Sequence, residues 1–317
     1  MARYLLARLA TSLALLVAIT LFVFVAFHVT PANRPAPGLA NNPYRIHGSL
    51  PHQYALFLWN IVRHGDLGRS YADREPVTAR IGRAAPVTLS LVVGGLLVWL
   101  LIAVPLGLLA ALRPRSLLDV AVTAFVLVGI SLHPLWLGLT LGFLFGQHWH
   151  LLPAAGYCDL FSPSTACGGP AQWVDHLLLP WLTFGALNAA LYTLMIRAFV
   201  REELGKDYVL AARAKGAGTG RVLRAHVSRN VLPPLVAMIG MTVAVALAGV
   251  IFVETAFGLP GLGGMLRQSI MRRDLPMTAG IVLFVTAVIV VVNFAADVVC
   301  SAVDPRARRA LSADSGV

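Results

Sequence analysis

The sequence predicts an all-α integral membrane protein with six transmembrane helices and both termini on the cytoplasmic side. Three observations predict it. Of the 317 residues, 58% are hydrophobic and only 12% are charged, with a mean hydropathy of +0.77. A water-soluble domain carries roughly 25% charged residues to cover its surface. Several uncharged runs reach the roughly 20 residues that cross about 30 Å of hydrocarbon. Lys and Arg collect in alternate connections, as they do on the cytoplasmic side of membranes. The formal net charge of +11 has the same origin. No basic and aromatic platform accompanies it, so the expected surroundings are a lipid bilayer and not nucleic acid.

The first run, 9–28, follows Arg3 and Arg8 as a secretory signal would. Its apolar stretch exceeds the about 7 to 15 residues of a signal core, so 1–29 reads as a tail and an uncleaved first span. An extracytoplasmic segment, 30–83, follows. Its part 31–43 is rich in Pro, Asn and Gly and is expected to be irregular. Tyr54, Leu58, Ile61 and Val62 form one apolar helical stripe, and Val77, Ile81 and Ala84 another. Both stripes suit short helices that lie on the membrane surface or pack against the bundle. A domain over 84–303 holds five further spans, expected at 89–111, 118–145, 177–196, 235–253 and 277–296, and 304–317 is a cytoplasmic tail. These runs lack the apolar and polar alternation of a barrel strand. His133 with Pro134, and Pro105 with Gly107, mark helix bends.

The orientation is consistent with the distribution of basic residues. The N-terminus, the Arg113 and Arg115 turn, the stretch 197–229 and the tail at 306–309 share one side, while the loop 146–176 contains no Lys or Arg. The seven arginines of 34–83 run against the rule, which loses force in long segments. Cys158 and Cys167 share the 146–176 loop, and either a disulfide or two thiols fits them at this level. With Cys300 they form no CxxC pair, and no His cluster stands at ligand spacing, so no metal site is expected.

The cytoplasmic stretch 201–234 holds the most chemistry. Gly216, Gly218 and Gly220 followed by Arg221 superficially resemble a phosphate loop. No strand precedes them and no Lys-Ser or Lys-Thr pair follows, so they read as a turn. ATP and its magnesium are therefore not expected in this chain. Residues 208–215 are helix formers, the glycines break the helix, and 221–230 resumes it until Pro233 and Pro234. Ala211, Ala212 and Ala214 permit close approach by another surface. A merely solvated basic loop fits the composition as well.

The stretch DYVLAARAKGAG at 207–218, followed by HVSRN at 226–230 and the proline pair, resembles the EAA-type coupling loop of ABC importer permeases in its dipeptide, oligopeptide and nickel version. The resemblance extends over nearly the whole chain, through GDLGRS at 65–70, LPAAG at 152–156, LPWLTFG at 179–185, PGLG at 260–263, and Arg273, Asp274 and Pro276. It departs from the family pattern at 31–53, where a longer connection and an acidic Gly-Asp pair are usual. The resemblance implies a type I ABC importer permease fold over 84–303. It implies that Asp207, Tyr208, Ala211, Ala212, Arg213, Ala214, Lys215 and Gly216 contact an ATPase subunit, and that Glu254, Phe257, Pro260, Gly261 and Gly263 belong to an external loop near a gate. The implied partners are a second, similar permease, two ATPase subunits that bind ATP and magnesium, and an extracytoplasmic substrate-binding protein.

Within the bilayer, Asn293 and Asp297 lie four residues apart on one helix face, and Asn188 stands alone. Asp297 is close enough to the cytoplasmic end to pair with an arginine there. A proton-coupled secondary transporter would show repeat symmetry and paired midplane acids. An intramembrane enzyme would show a convergent nucleophile, base or metal set. Neither pattern is visible. The expected function is thus half of a pathway for peptides or a related small nutrient across the cell membrane, driven by partner subunits.

Overall fold

A computed structural model of the chain describes residues 2–29, 49–160 and 167–303. The expectations for 31–43 and for the tail 304–317 lie outside the described residues. Eleven helices are described, and among the described residues there is no β-strand, only two isolated bridges. They are α1 (Ala2–Val29), α2 (Leu50–Trp59), α3 (Val77–Leu112), α4 (Leu117–Ser131), α5 (Pro134–Leu141), α6 (Pro170–Leu204), α7 (Asp207–Ala214), α8 (Thr219–Val222), α9 (Ser228–Phe257), α10 (Leu262–Met271) and α11 (Leu275–Val303). Short π-helical turns continue α2 to His64 and α5 to His148, and join α8 to α9.

Four of these helices are long and apolar enough to cross a membrane, α3, α6, α8–α9 and α11, and the α4–α5 pair makes a fifth if counted as one span. Helix α1 adds an apolar stretch, Ala10–Val25. Helices therefore occupy the stretches expected as spans, 118–145 as a bent pair, and most run past their apolar cores. Helix α3 begins at Val77, so the expected boundary at 83–84 falls inside it.

Two expectations are corrected. The run 118–145 is not one helix: α4 and α5 meet at 106°. Pro134 is well suited to start a helix but pushes the residue before it out of the α region. His133 accordingly takes ψ of 137°, Leu132 before it is extended as well with ψ of 138°, and the His133 ring accepts the Leu135 N–H. The stripe of Val77, Ile81 and Ala84, expected on a short helix at the membrane surface or against the bundle, takes the second place but as the start of the long α3 and not as a short helix. These residues are buried in the first turns of α3, against Leu262, Met277 and Ile281. Of the first stripe, Tyr54 and Ile61 pack with Val23 and Phe24 of α1, while Val62 is exposed.

The core is the seam between α3 and α6. Small residues allow it: a Cβ on Gly185 would lie 3.0 Å from the Gly95 carbonyl and the Trp99 amide, so only glycine lets the two backbones come this close. Trp99, fully buried, meets Tyr192 edge to face at 5.0 Å. Helices α9 and α11 pack beside this pair, with Asn293 against Gly240. The bundle thus has two ends. One gathers the starts of α3, α6 and α11 and the loop with Cys158 and Cys167. The other, the arginine end, gathers the starts of α4 and α9, the finishes of α3 and α6, and the eight arginines from Arg113 to Arg229.

Candidate functional site

At the arginine end, α6 finishes in Glu203 and a short turn leads into α7. Glu203 is buried, and three donors converge on its carboxylate: Lys206 Nζ, Tyr208 OH and, at 3.2 Å, Asn230 Nδ2. Asn230 also donates to the Tyr208 oxygen at 3.0 Å. One carboxylate thereby ties the end of α6 and the starts of α7 and α9 together. Burial, and donation to Glu203, push the Tyr208 phenol above its ordinary value. The Glu203 hydrogen bond likewise raises Lys206, keeping it charged. Val209 and Val222, both fully buried, anchor α7 and α8 in the core.

The eight residues expected to meet an ATPase divide by face. Asp207, Ala211, Arg213, Ala214, Lys215 and Gly216 are exposed, whereas Tyr208 and Ala212 are half-buried and face the bundle. Leu210, 55% exposed, joins Asp207, Ala211 and Ala214 on the outward face, because residues three and four apart stack on one side of a helix. Gly216 has φ of +82°, and the N–H groups of Gly216 and Ala217 return to the carbonyls of Arg213 and Ala212. This closes α7 with the left-handed cap that favours glycine.

A second cluster at this end was not anticipated from the sequence. Asp119, almost fully buried, is paired with Arg197 at 2.9 Å and Arg201 at 2.8 Å, and accepts the Arg115 N–H at 3.0 Å. Arg201 also donates to the Ala110 carbonyl at 2.9 Å, and Arg197 to Thr123 at 2.7 Å. The cluster joins the finish of α3, the start of α4 and α6. Its sequence signal was slight: Asp119 is the one carboxylate between Glu75 and Asp159, three residues after the helix-capping Ser116.

At the opposite end, the expected loop residues assemble around Glu254 near the end of α9. Glu254 is buried, accepts Thr88 Oγ1 at 2.6 Å and the Gly264 N–H at 2.9 Å, and Thr88 in turn accepts the Leu262 N–H at 2.8 Å. A Cβ on Gly261 would stand 2.1 Å from Glu254 Oε1. Phe257 is buried, and its carbonyl accepts the Gly156 N–H at 2.9 Å. Pro260 lines a cleft of about 760 Å³, with Asp73, Arg80, Tyr157 and Asp159 among its other walls. Ser70, from GDLGRS, donates to the buried Asp274, which also accepts the Tyr71 N–H at 3.1 Å. Cys158 and Cys167 are joined as a disulfide, with their Cα atoms 5.5 Å apart.

The three intramembrane polar residues are distributed over two helix contacts. Asn188 lines a groove beside the α4–α5 break, and Asn293 lies between α9 and α11, with Asp297 half-buried one turn on. Among the described residues, no three His, Cys, Asp or Glu side chains gather as a metal site.

Comparison with known proteins agrees with this geometry. Residues 103–309 match the family described as binding-protein-dependent transport system inner membrane component. The dipeptide transport system permease protein DppB of Escherichia coli (strain K12) is 33% identical over 338 residues, covering 97% of this chain and 99% of that protein. A chain in two crystal forms of the MetNI methionine ABC transporter, in inward facing conformations, superposes with a TM-score of 0.56. It is 19% identical in the native form and 21% in the SeMet soak form, and the match covers 73% of this chain and 99% of that one. At that identity the likeness concerns the fold. The matched family model and the nearly full-length relative together establish that this chain belongs to the family of binding-protein-dependent transport system inner membrane components.

Proposed function

We propose that this chain is the membrane-spanning permease subunit of an ATP-driven importer of peptides, and that α7 is the element through which ATP hydrolysis reaches the pathway. The observation that carries the reading is the Glu203 clasp. It fixes α7 rigidly to both α6 and α9 while leaving the Leu210, Ala211 and Ala214 face free to dock. A force on α7 then moves two long helices together, as a rigid-body transition requires. Peptides are the cargo class because the nearly full-length relative is a dipeptide permease.

In this reading α1, α3, α4–α5, α6, α9 and α11 are six crossings of the cell membrane, with both termini and α7 in the cytoplasm. The Cys158–Cys167 disulfide belongs on the oxidising, extracytoplasmic side, where a substrate-binding protein delivers cargo to the cleft near Pro260. Two ATPase subunits hold ATP and magnesium, and a second, similar permease completes the pathway.

The test reconstitutes the chain in liposomes alone and with its partners. Alone it should show no vanadate-sensitive ATP hydrolysis; with ATPases, companion permease and loaded binding protein it should take up dipeptide. Hydrolysis by the purified chain alone would overturn the reading. In intact cells, a membrane-impermeant thiol reagent should label Cys158 and Cys167 only after reduction. Labelling that also needs lysis would reverse the orientation.

A further inference from the structure

The α4–α5 break and Asn188 border one groove, of about 320 Å³, between the break, α6 and α9. That volume is at the lower end of the about 300–1,000 Å³ typical of small-ligand pockets. The Ile130 carbonyl, on its wall, would take its helical hydrogen bond from residue 134, and residue 134 is a proline with no N–H to give. The Leu135 N–H is already occupied by the His133 ring at 3.2 Å. Asn188 donates through Nδ2 to the Phe184 carbonyl at 2.7 Å, and its Oδ1 has no partner among the described residues. The groove therefore offers two hydrogen-bond acceptors, the exposed apolar side chains of Leu191 and Val245, and no formal charge on its lining residues. Irregular backbone at membrane depth occurs only where it is buried in protein or lines a cavity, and in transporters such broken helices border the cargo site.

We infer that this groove is a binding subsite for the cargo peptide within the membrane, an inference that rests on the peptide-importer reading above. The Ile130 carbonyl and Asn188 Oδ1 accept the ammonium and amide N–H groups of the peptide, and the exposed Leu191 and Val245 pack against a peptide side chain. The two acceptors suit the N–H donors of a peptide and give nothing to bind a cargo without such donors. Gly249 sets the room for that side chain: it lines the groove, and no atom stands within 4 Å of where its Cβ would be. A Cβ there meets no atom of the fold, so a larger side chain has room to start into the groove.

The experiment uses the full transporter in liposomes and compares uptake of radiolabelled Ala-Ala and Ala-Phe, with co-purification of the companion permease recorded for every variant. Gly249→Leu should lower Ala-Phe uptake about tenfold more than Ala-Ala uptake, a change of selectivity that a general loss of stability would not produce. Asn188→Leu should lower uptake of both peptides by about three- to tenfold, the range of one hydrogen bond, and Asn188→Gln should recover part of it. Wild-type uptake of both peptides by both Leu variants would overturn the subsite. So would loss of the companion permease from the Leu variants, which would make the groove a contact between permeases. A wild-type transporter that takes up neither peptide would instead refute the importer reading itself, before any variant is compared.

Discussion

Asn230, at the start of α9, donates to Glu203, at the end of α6, at 3.2 Å across 27 residues of sequence. Everything between them, α7 included, is a loop closed by that contact and by Tyr208 and Lys206 on the same carboxylate. The loop is therefore braced against both long helices, and its bracing can be removed without touching the outward face.

Glu203→Leu should leave Tyr208 and Asn230 without their shared acceptor and detach α7 from both long helices. Peptide uptake by the assembled transporter should fall at least about tenfold while ATP hydrolysis by the partners continues, whereas Tyr208→Phe, which removes one of three donors, should lower it about threefold. Parallel uptake and hydrolysis assays check this. Unchanged uptake in Glu203→Leu would mean that the clasp is not part of the transmission.

Substitutions in α7 and its cap should act differently from one another. Gly216→Val places a β-branched residue at φ of +82°, a conformation such residues strongly disfavour, so the cap should reopen and transport should be lost. Ala212→Arg forces a long charged side chain towards Val209 and Val222 on the bundle side. It should push α7 outward and abolish uptake. Membrane insertion should survive in both, because it follows the apolar spans. Uptake at the wild-type rate in both variants would make 207–220 a solvated connection only.

Asp119→Asn should reveal a structural part of the arginine end. It removes the negative charge that Arg197 and Arg201 share while all three side chains stay largely enclosed, leaving two cations facing each other. The expected result is a lower melting temperature of the purified chain in detergent, with Asp119→Glu intermediate. A melting temperature equal to wild type in Asp119→Asn would show that the pair contributes nothing measurable to stability.

The sequence by itself determined the class of the protein and the local structure of the segment proposed to couple it to its partners. Hydropathy is a local property: a window of about 20 uncharged residues is apolar whatever surrounds it, so helices at each expected span were legible. The helix, turn and helix of 207–230 were legible too, since helix formers, three glycines and a proline pair act within a few residues of themselves. Pro134 announced a bend for the same reason. The angle of 106° was not legible, because how far a chain turns at a proline depends on what it packs against.

Only the tertiary structure decided which polar groups meet. Asp119 and Arg201 are 82 residues apart, and Thr88 and Glu254 are 166 apart. Each pair exists because two helices lie side by side at one depth, and no spacing along the chain encodes that. The same holds for Val77, Ile81 and Ala84, whose apolar stripe was plain but whose burial under α10 and α11 was not. Composition says that a face seeks cover. The fold decides whether the cover is lipid or protein, because both are equally apolar partners.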